Sequence, residues 1–260
     1  MQCLQRRNAA GTVRALGRTR PPTIPYPGAK GRLASSLVAL MPGRGHRYIE
    51  PFVGRGNVYF AAAGDLLFDE WWINDIATAP FFRALVQTEG RITVPVRSRE
   101  VYHVQKQRYQ RGDAAAILLE PYLTYSGGGY LRGGFGGARS AGPVSYANTL
   151  QTCAGILKTT AARITDLDWE QMGMDRFDKG DFVFLDPPYY AADVRAYSNK
   201  FDHPRLVAAL KKARFSWMLT EYRQDLYVRA FGEPSWTTEV QLACDGRGTS
   251  RRVECVWKNF

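Results

Sequence analysis

Gly180-Asp181-Phe182-Val183-Phe184-Leu185-Asp186-Pro187-Pro188-Tyr189-Tyr190 changes character abruptly along its length. Phe182 to Leu185 are apolar residues with strong strand preference, introduced by the turn-like pair Lys179-Gly180. An unbroken apolar run of this length predicts a strand covered on both faces, as in a parallel sheet. Pro187 and Pro188 end it, because neither has an N–H to give a ladder and each fixes φ. They also keep Asp186 out of the helical region. The strand therefore ends in a stiff tip, at the edge where open α/β sheets bind ligands. The tip offers the Asp186 carboxylate, the Pro187 carbonyl and the Tyr189 ring. A nucleobase with an exocyclic amino group matches all three, with two acceptors for its N–H bonds and a ring for its face. An ordinary strand followed by a Pro-Pro turn has the same local sequence, so the rest of the chain decides.

A length of 260 residues suits one large α/β domain with an insertion, or two small domains, and 45% hydrophobic residues suffice for a core. The 35 Lys and Arg against 24 Asp and Glu leave a formal charge of +11, which favours a polyanionic partner, most simply nucleic acid. Cys3, Cys153, Cys244 and Cys255 form no C-x-x-C pair and are too few for a disulfide framework. His46, His103 and His203 give no zinc-ligand spacing. These features predict a reduced, cytoplasmic protein without metal. No apolar stretch has the length of a membrane span, and the N-terminus lacks the apolar core of a signal peptide.

Residues 1–22 read as a flexible basic arm. Tyr26-Pro27-Gly28-Ala29-Lys30 then precedes a helical pattern carrying Leu33, Leu37, Leu40 and Met41 on one face. A glycine turn with a lysine at a helix start can hold an anionic group, although a plain structural turn is the simpler reading. Tyr48 to Val53 predict an extended segment that runs into Gly54-Arg55-Gly56, and a helix follows from Val58. A strand, a glycine turn and a helix let the backbone approach a cofactor closely. Tyr59 stands where a dinucleotide fingerprint needs its third glycine, which argues against nicotinamide and flavin. Strand-like pieces follow at Leu66–Asp69 and Trp72–Asp75. Asp75, about 20 positions beyond the glycine turn, suits ribose hydroxyls, and it equally suits the N-cap of a helix over 76–87.

Between Arg91 and Ser145, arginines such as Arg97 and Arg99 alternate with tyrosines, and then glycines crowd Tyr125 to Gly137. This mixture predicts a mobile loop or hairpin that reaches a polyanion, with a plain surface insertion as the alternative. A helix is expected over Asn148 to Ala162, and a short strand from Ile164 ends in Asp168-Trp169, a pair able to bind and cover an adenine ring. After the proline tip come a polar loop containing Tyr197, a helix opened by Asp202-His203-Pro204, and a strand over Phe215–Leu219. A helix over Gln224–Phe231 and a closing hairpin complete the chain.

Tyr-x-Gly-x-Lys at 26–30, Glu-Pro-Phe-x-Gly-x-Gly at 50–56, Asn-Asp-Ile at 74–76 and Gly-Asp-Phe-Val-x-x-Asp-Pro-Pro-Tyr at 180–189 occur in that order, with Phe201-Asp202-His203 after them. The set resembles the Dam-type (D12 class) DNA adenine N6-methyltransferases. The resemblance implies a Rossmann-like α/β fold for S-adenosylmethionine-dependent methyltransferases. Its sheet is mostly parallel with a C-terminal antiparallel hairpin, its catalytic domain covers 23–90 and 146–260, and 91–145 form an inserted target-recognition region. It implies S-adenosylmethionine as methyl donor, S-adenosylhomocysteine as product, and no metal. Cofactor contacts are then expected from Tyr26, Gly28, Lys30, Pro51, Phe52, Gly54, Gly56, Asp75, Asp168, Trp169 and Asp186. Asp186, Pro187, Pro188 and Tyr189 are expected to be catalytic, with the target adenine flipped between them. Tyr125, Tyr130, Arg132, Arg139 and Tyr197 are expected to touch double-stranded DNA, although this chain is far richer in glycine there than the family. The resemblance further implies a monomer in solution that can dimerise on DNA, in the cytoplasm of a bacterial host. RNA adenine, the cytosine amino group, or a silent nucleic-acid-binding module are the alternatives.

Overall fold

The computed structural model describes residues 6–7, 13–14, 21–125, 128–131, 133–136, 142–190, 201–244 and 248–260. Most of the expected arm at 1–22 lies outside them. Within it β1 (Arg6–Arg7) pairs antiparallel with β2 (Val13–Arg14). The chain forms two compact units, one of residues 1–44, 54–67 and 80–161, the other of 45–53, 68–79 and 162–260.

The first unit is helical. It contains α1 (Ala34–Ala39), α2 (Asn57–Asp65), α3 (Ala79–Thr88) from its second residue on, α4 (Arg99–Gln110), α5 (Ala114–Leu123) and α6 (Pro143–Thr160). The described residues of 91–145, expected as a loop or hairpin, thus include two helices, α4 and α5. Ser98 Oγ caps α4 by accepting from the Val101 N–H at 3.1 Å, and Asp113 Oδ1 caps α5 by accepting from the Ala116 N–H at 2.9 Å. Composition hid the period: Tyr102 and Gln105 lie three apart and are both buried, the signature of one helix face turned inward. α6 begins five residues ahead of its apolar pattern because Pro143 occupies its first turn, where a missing N–H costs nothing.

The second unit is built on a seven-stranded sheet. Its strands are β3 (Arg44–Glu50) and β4 (Leu67–Asn74), each from its second residue on, and β5 (Arg163–Thr165), β6 (Asp181–Leu185), β7 (Ser216–Tyr222), β8 (Trp236–Cys244) and β9 (Gly248–Lys258). Their order is β5-β4-β3-β6-β7-β9-β8. β3 pairs parallel with β6, β6 with β7 and β4 with β5, while β9 runs antiparallel to β7 and β8. The mostly parallel α/β sheet with a closing antiparallel hairpin is therefore present. β4 is one continuous strand because Asp69 and Glu70, which break its apolar pattern, stand exposed near its start.

All five residues of β6 are buried, as a strand flanked by two parallel neighbours requires. Arg47 and Asp181 sit opposite each other in the register, and the guanidinium grips the carboxylate with two hydrogen bonds at 2.6 and 2.5 Å. α7 (His203–Lys211) and α8 (Asp225–Phe231) contribute Leu206, Leu210 and Tyr227 to a core shared with Val183, Trp217 and Trp257. Each such side chain contributes on the order of 2 kcal/mol. From β3 the order runs outward through β4 and β5, and from β6 it runs the other way through β7. β3 and β6 are thus neighbours at a point where the order reverses, the place where open α/β sheets bind ligands.

Candidate active site

Two acidic residues stand at the carboxyl ends of those neighbouring strands. Asp186 directly follows β6, and Glu50 ends β3. On the far side of Asp186, Thr220 Oγ1 on β7 donates to Asp186 Oδ1 at 2.9 Å. Pro187 is buried, whereas Asp186 and Tyr189 are partly exposed. Glu50 is buried, and its Oε2 accepts from the Tyr48 hydroxyl at 2.7 Å. Burial pushes the Glu50 carboxyl well above the usual carboxylate range; the Tyr48 hydrogen bond opposes this, and the charges of Asp186 and Asp75 add to it.

The segments expected to meet a cofactor in this unit are tied by one side chain. Asn74 Nδ2 donates to the Pro51 carbonyl at 2.9 Å and the Leu167 carbonyl at 3.0 Å. Asn74 Oδ1 accepts from Thr165 Oγ1 at 2.7 Å and the Leu167 N–H at 2.9 Å. Pro51-Phe52, Asp75 and Asp168-Trp169 are therefore brought to one edge of the sheet. Asp75 Oδ1 accepts from the N–H groups of Ala77 and Thr78, both at 2.9 Å, as an N-cap does. Asp168 caps the short 3-10 turn Trp169–Met172 through a reciprocal bond with Gln171. Phe201 packs edge-on against Phe52 and tilted against Trp169, at 5.3 and 6.1 Å. Asn74 belongs to the Asn-Asp-Ile motif at 74–76 but is not among the expected site residues.

The ring of Tyr189, expected as a stacking surface, already has neighbours. Its hydroxyl pairs with Glu254 Oε1, and the ring stands perpendicular to Tyr222 at 4.6 Å. Tyr222 and Glu254 are register partners on β7 and β9, so the closing hairpin orients the tip. Glu221, fully buried, accepts from the Tyr190 N–H at 2.9 Å through Oε2 and from the Tyr222 N–H at 2.7 Å through Oε1. His203 Nδ1 lies 3.8 Å from the same Oε2 and 2.6 Å from the Tyr227 hydroxyl. Burial pushes the Glu221 carboxyl up to about 8 and the His203 imidazole down to about 4, so the histidine is neutral at physiological pH. Sequence reading missed Glu50, Glu221 and Glu254 as site residues.

The remaining cofactor candidates belong to the first unit. Gly28, at φ +76°, completes a turn in which the Ala29 N–H donates to the Tyr26 carbonyl at 3.0 Å, and Lys30 Nζ donates back to the Gly28 carbonyl at 3.0 Å. Asn57 binds both backbone groups of Ile24, at 2.8 and 3.0 Å, and so anchors that turn to the start of α2. Gly54 and Gly56 lie at φ +52° and +77°. A Cβ on Gly56 would meet the Phe60 and Phe82 rings at 2.9 and 3.0 Å, and one on Gly54 the Tyr26 ring at 3.3 Å. Only glycine suits that turn. Tyr26, Gly28, Lys30, Gly54 and Gly56 are thus brought together.

The DNA candidates fare differently. Tyr125 is 57% exposed, beside a bridge that pairs Thr124 with Phe135. Tyr130 is fully buried against Tyr102 and Tyr109, a correction to its expected role as a DNA contact. Arg97 stacks on the Tyr122 ring at 3.6 Å and donates to the Tyr122 carbonyl at 2.8 Å, which is structural work. Arg132, Arg139 and Tyr197 lie outside the described residues. Among the described residues no three His, Cys, Asp or Glu side chains form a metal-ligand group, and no helix is long and apolar enough to cross a membrane.

Known proteins bear on this geometry. The family of D12 class N6 adenine-specific DNA methyltransferases matches residues 26–88, which span the Tyr26 turn, the glycine turn and Asp75. No curated protein matches the chain by sequence. A protein of Pyrococcus horikoshii classed by inference as an RNA methyltransferase superposes with a TM-score of 0.43 at 12% identity, covering 91% of this chain and 85% of its own. TrmN from Thermus thermophilus gives 0.38 at 13% identity, covering 88% of this chain and 49% of its own. A protein of Streptococcus mutans classed by inference as a methyltransferase, solved with SAH, gives 0.38 at 8% identity, covering 88% and 97%. The first and third of these are described as methyltransferases.

Proposed function

We propose that this chain is an S-adenosylmethionine-dependent methyltransferase that methylates the N6 amino group of adenine in double-stranded DNA, with the base flipped out of the helix. The observation that carries the proposal is the Asp186-Pro187-Pro188 tip where the strand order reverses, with its carboxylate oriented by Thr220. The match over residues 26–88 supports adenine in DNA as the substrate.

The residues present suit such a methyl donor. Gly54, partly exposed and at a positive φ, gives the turn a backbone without a side chain for the donor to lie against. Asp75 offers a carboxylate to ribose hydroxyls, and Asp168 with Trp169 an acceptor and a ring to adenine. Tyr26, Gly28 and Lys30 take the methionine end, and Pro51 and Phe52 line the approach. When bound, the donor supplies a sulfonium methyl group.

The protein's own part is positioning and electrostatics. An adenine amino nitrogen is a weak nucleophile because its lone pair is delocalised into the ring. Asp186 accepts one of its N–H bonds and the Pro187 carbonyl the other, which favours a pyramidal nitrogen with an available lone pair. As the new N–C bond forms, the nitrogen becomes positive, and the carboxylate stabilises that charge. The nitrogen then sheds one proton by way of Asp186. Thr220 holds the carboxylate in place. Tyr189, fixed by Glu254 and Tyr222, bounds the base. The glycine-rich part of 91–145, with Tyr125 at its exposed edge and Arg132, Arg139 and Tyr197, contacts the DNA.

The test is methyl transfer from labelled S-adenosylmethionine to duplex DNA and to RNA, with the modified nucleoside identified. N6-methyladenine in DNA is expected. Label only in RNA, or only on cytosine, overturns the substrate, and no label with any nucleic acid overturns the reaction.

A further inference from the structure

Arg55, the residue between the two glycines of the turn, has a side chain that points into the first unit. It is buried there, with its guanidinium 5.7 Å from the Tyr26 ring and 4.6 Å from the Phe81 ring. It pairs with Glu120 Oε2, also buried. Glu120 sits near the end of α5, and its other oxygen does separate work. Oε1 accepts from the Tyr130 N–H at 3.2 Å, and a Cβ on Gly129 would come within 3.1 Å of it. The Glu120 carbonyl also accepts from Thr124, whose Oγ1 in turn accepts from the Gly129 N–H at 3.3 Å. One buried carboxylate thus holds the glycine turn on one side and the seat of the 128–131 loop on the other.

A buried carboxylate with two charge-assisted partners is well held, and removing one partner leaves the charge poorly compensated. A displacement of the Gly54–Gly56 backbone moves Arg55, and Glu120 follows to keep its partner. The Tyr130 N–H, and with it residues 128–131, then shift or lose their acceptor. The Arg55 Nε and the Tyr130 hydroxyl are buried without a hydrogen-bond partner among the described residues. The cluster is therefore incompletely satisfied.

We propose that Arg55 and Glu120 are a positioning pair that couples occupancy of the glycine turn to the conformation of the 128–131 loop. The proposal rests on the methyltransferase reading for its ligand, S-adenosylhomocysteine, but not on the nature of the nucleic acid. Hydrogen exchange on the full chain, with and without S-adenosylhomocysteine, tests it. In wild type the ligand is expected to slow exchange both in peptides covering 54–60 and in those covering 128–131, the latter by at least about fivefold. In Glu120→Gln, and in Arg55→Lys as a second variant, slowing at 54–60 persists and slowing at 128–131 is lost. Slowing at 54–60 alone in wild type overturns the coupling while leaving the cofactor reading intact. Slowing nowhere overturns both. Slowing at 128–131 that survives in both variants assigns the coupling to other residues and overturns the pair.

Discussion

Glu221 Oε2 accepts the backbone N–H of Tyr190 at 2.9 Å, so a fully buried carboxyl on β7 holds the residue that follows the Asp-Pro-Pro-Tyr tip. Glutamine at 221 keeps the size but turns an N–H toward one of two backbone donors. Glu221→Gln is expected to lower turnover about tenfold or more through a misplaced tip, while S-adenosylhomocysteine affinity stays within about twofold. Calorimetry and single-turnover rates check this; an unchanged rate would free Tyr190 from any role for Glu221.

The same group sets a pH dependence. Its folded-state value is raised from 4.5 to about 8, mainly by burial, so between those limits the folded protein binds more protons than the unfolded chain. Stability from Glu221 is then greatest at low pH and falls as pH rises from about 5 to about 8. Glu50 acts in the same direction. His203, lowered to about 4, acts the other way below its ordinary 6.5, so melting temperature is expected to fall from about pH 6.5 to about 8, and to fall less steeply in Glu221→Gln. Parallel curves for the two proteins would contradict the shift.

Asn74 makes four hydrogen bonds that join three segments of the sheet edge. Asn74→Ala is expected to destabilise the protein by about 2–4 kcal/mol, since each buried bond contributes about 1 kcal/mol and several partners lose theirs. Cofactor affinity should fall with it. Urea unfolding alongside calorimetry checks both; a loss of stability with normal affinity would confine Asn74 to the fold.

Asp75 has two proposed roles, which separate by substitution. Asparagine is as good an N-cap as aspartate, whereas alanine loses about 1 kcal/mol. Asp75→Asn is expected to keep stability and weaken S-adenosylmethionine binding; Asp75→Ala should lose both. Normal affinity in both variants would remove Asp75 from the cofactor.

What was legible in the sequence is what is encoded locally. The apolar run 182–185 followed by two prolines specifies a buried strand and a stiff tip without reference to anything distant. Gly54 and Gly56 mark backbone angles that other residues resist, and Asp202 before Pro204 marks a helix start. Glu221, Glu254 and Asn74 could not be found in this way. Their roles arise from strand register, such as Tyr222 opposite Glu254, and from partners such as Leu167 far along the chain. Tyr130 failed for a related reason: its glycine-rich surroundings suggested exposure, yet Tyr102 and Tyr109 of α4 bury it.

The most direct test of the account is the single-turnover rate of methyl transfer in Asp186→Asn, with duplex DNA and S-adenosylmethionine both saturating. The side chain keeps its size and the proline tip its stiffness, but a neutral amide now faces a nitrogen that becomes positive. The benefit of the carboxylate grows toward the transition state, so its loss appears in rate more than in binding. A drop of about a hundred- to a thousandfold is expected, equivalent to about 3–4 kcal/mol, with near-normal S-adenosylhomocysteine affinity. A folded Asp186→Asn protein that reacts within a few-fold of wild type would contradict the assignment of Asp186 as the acceptor of the amino group.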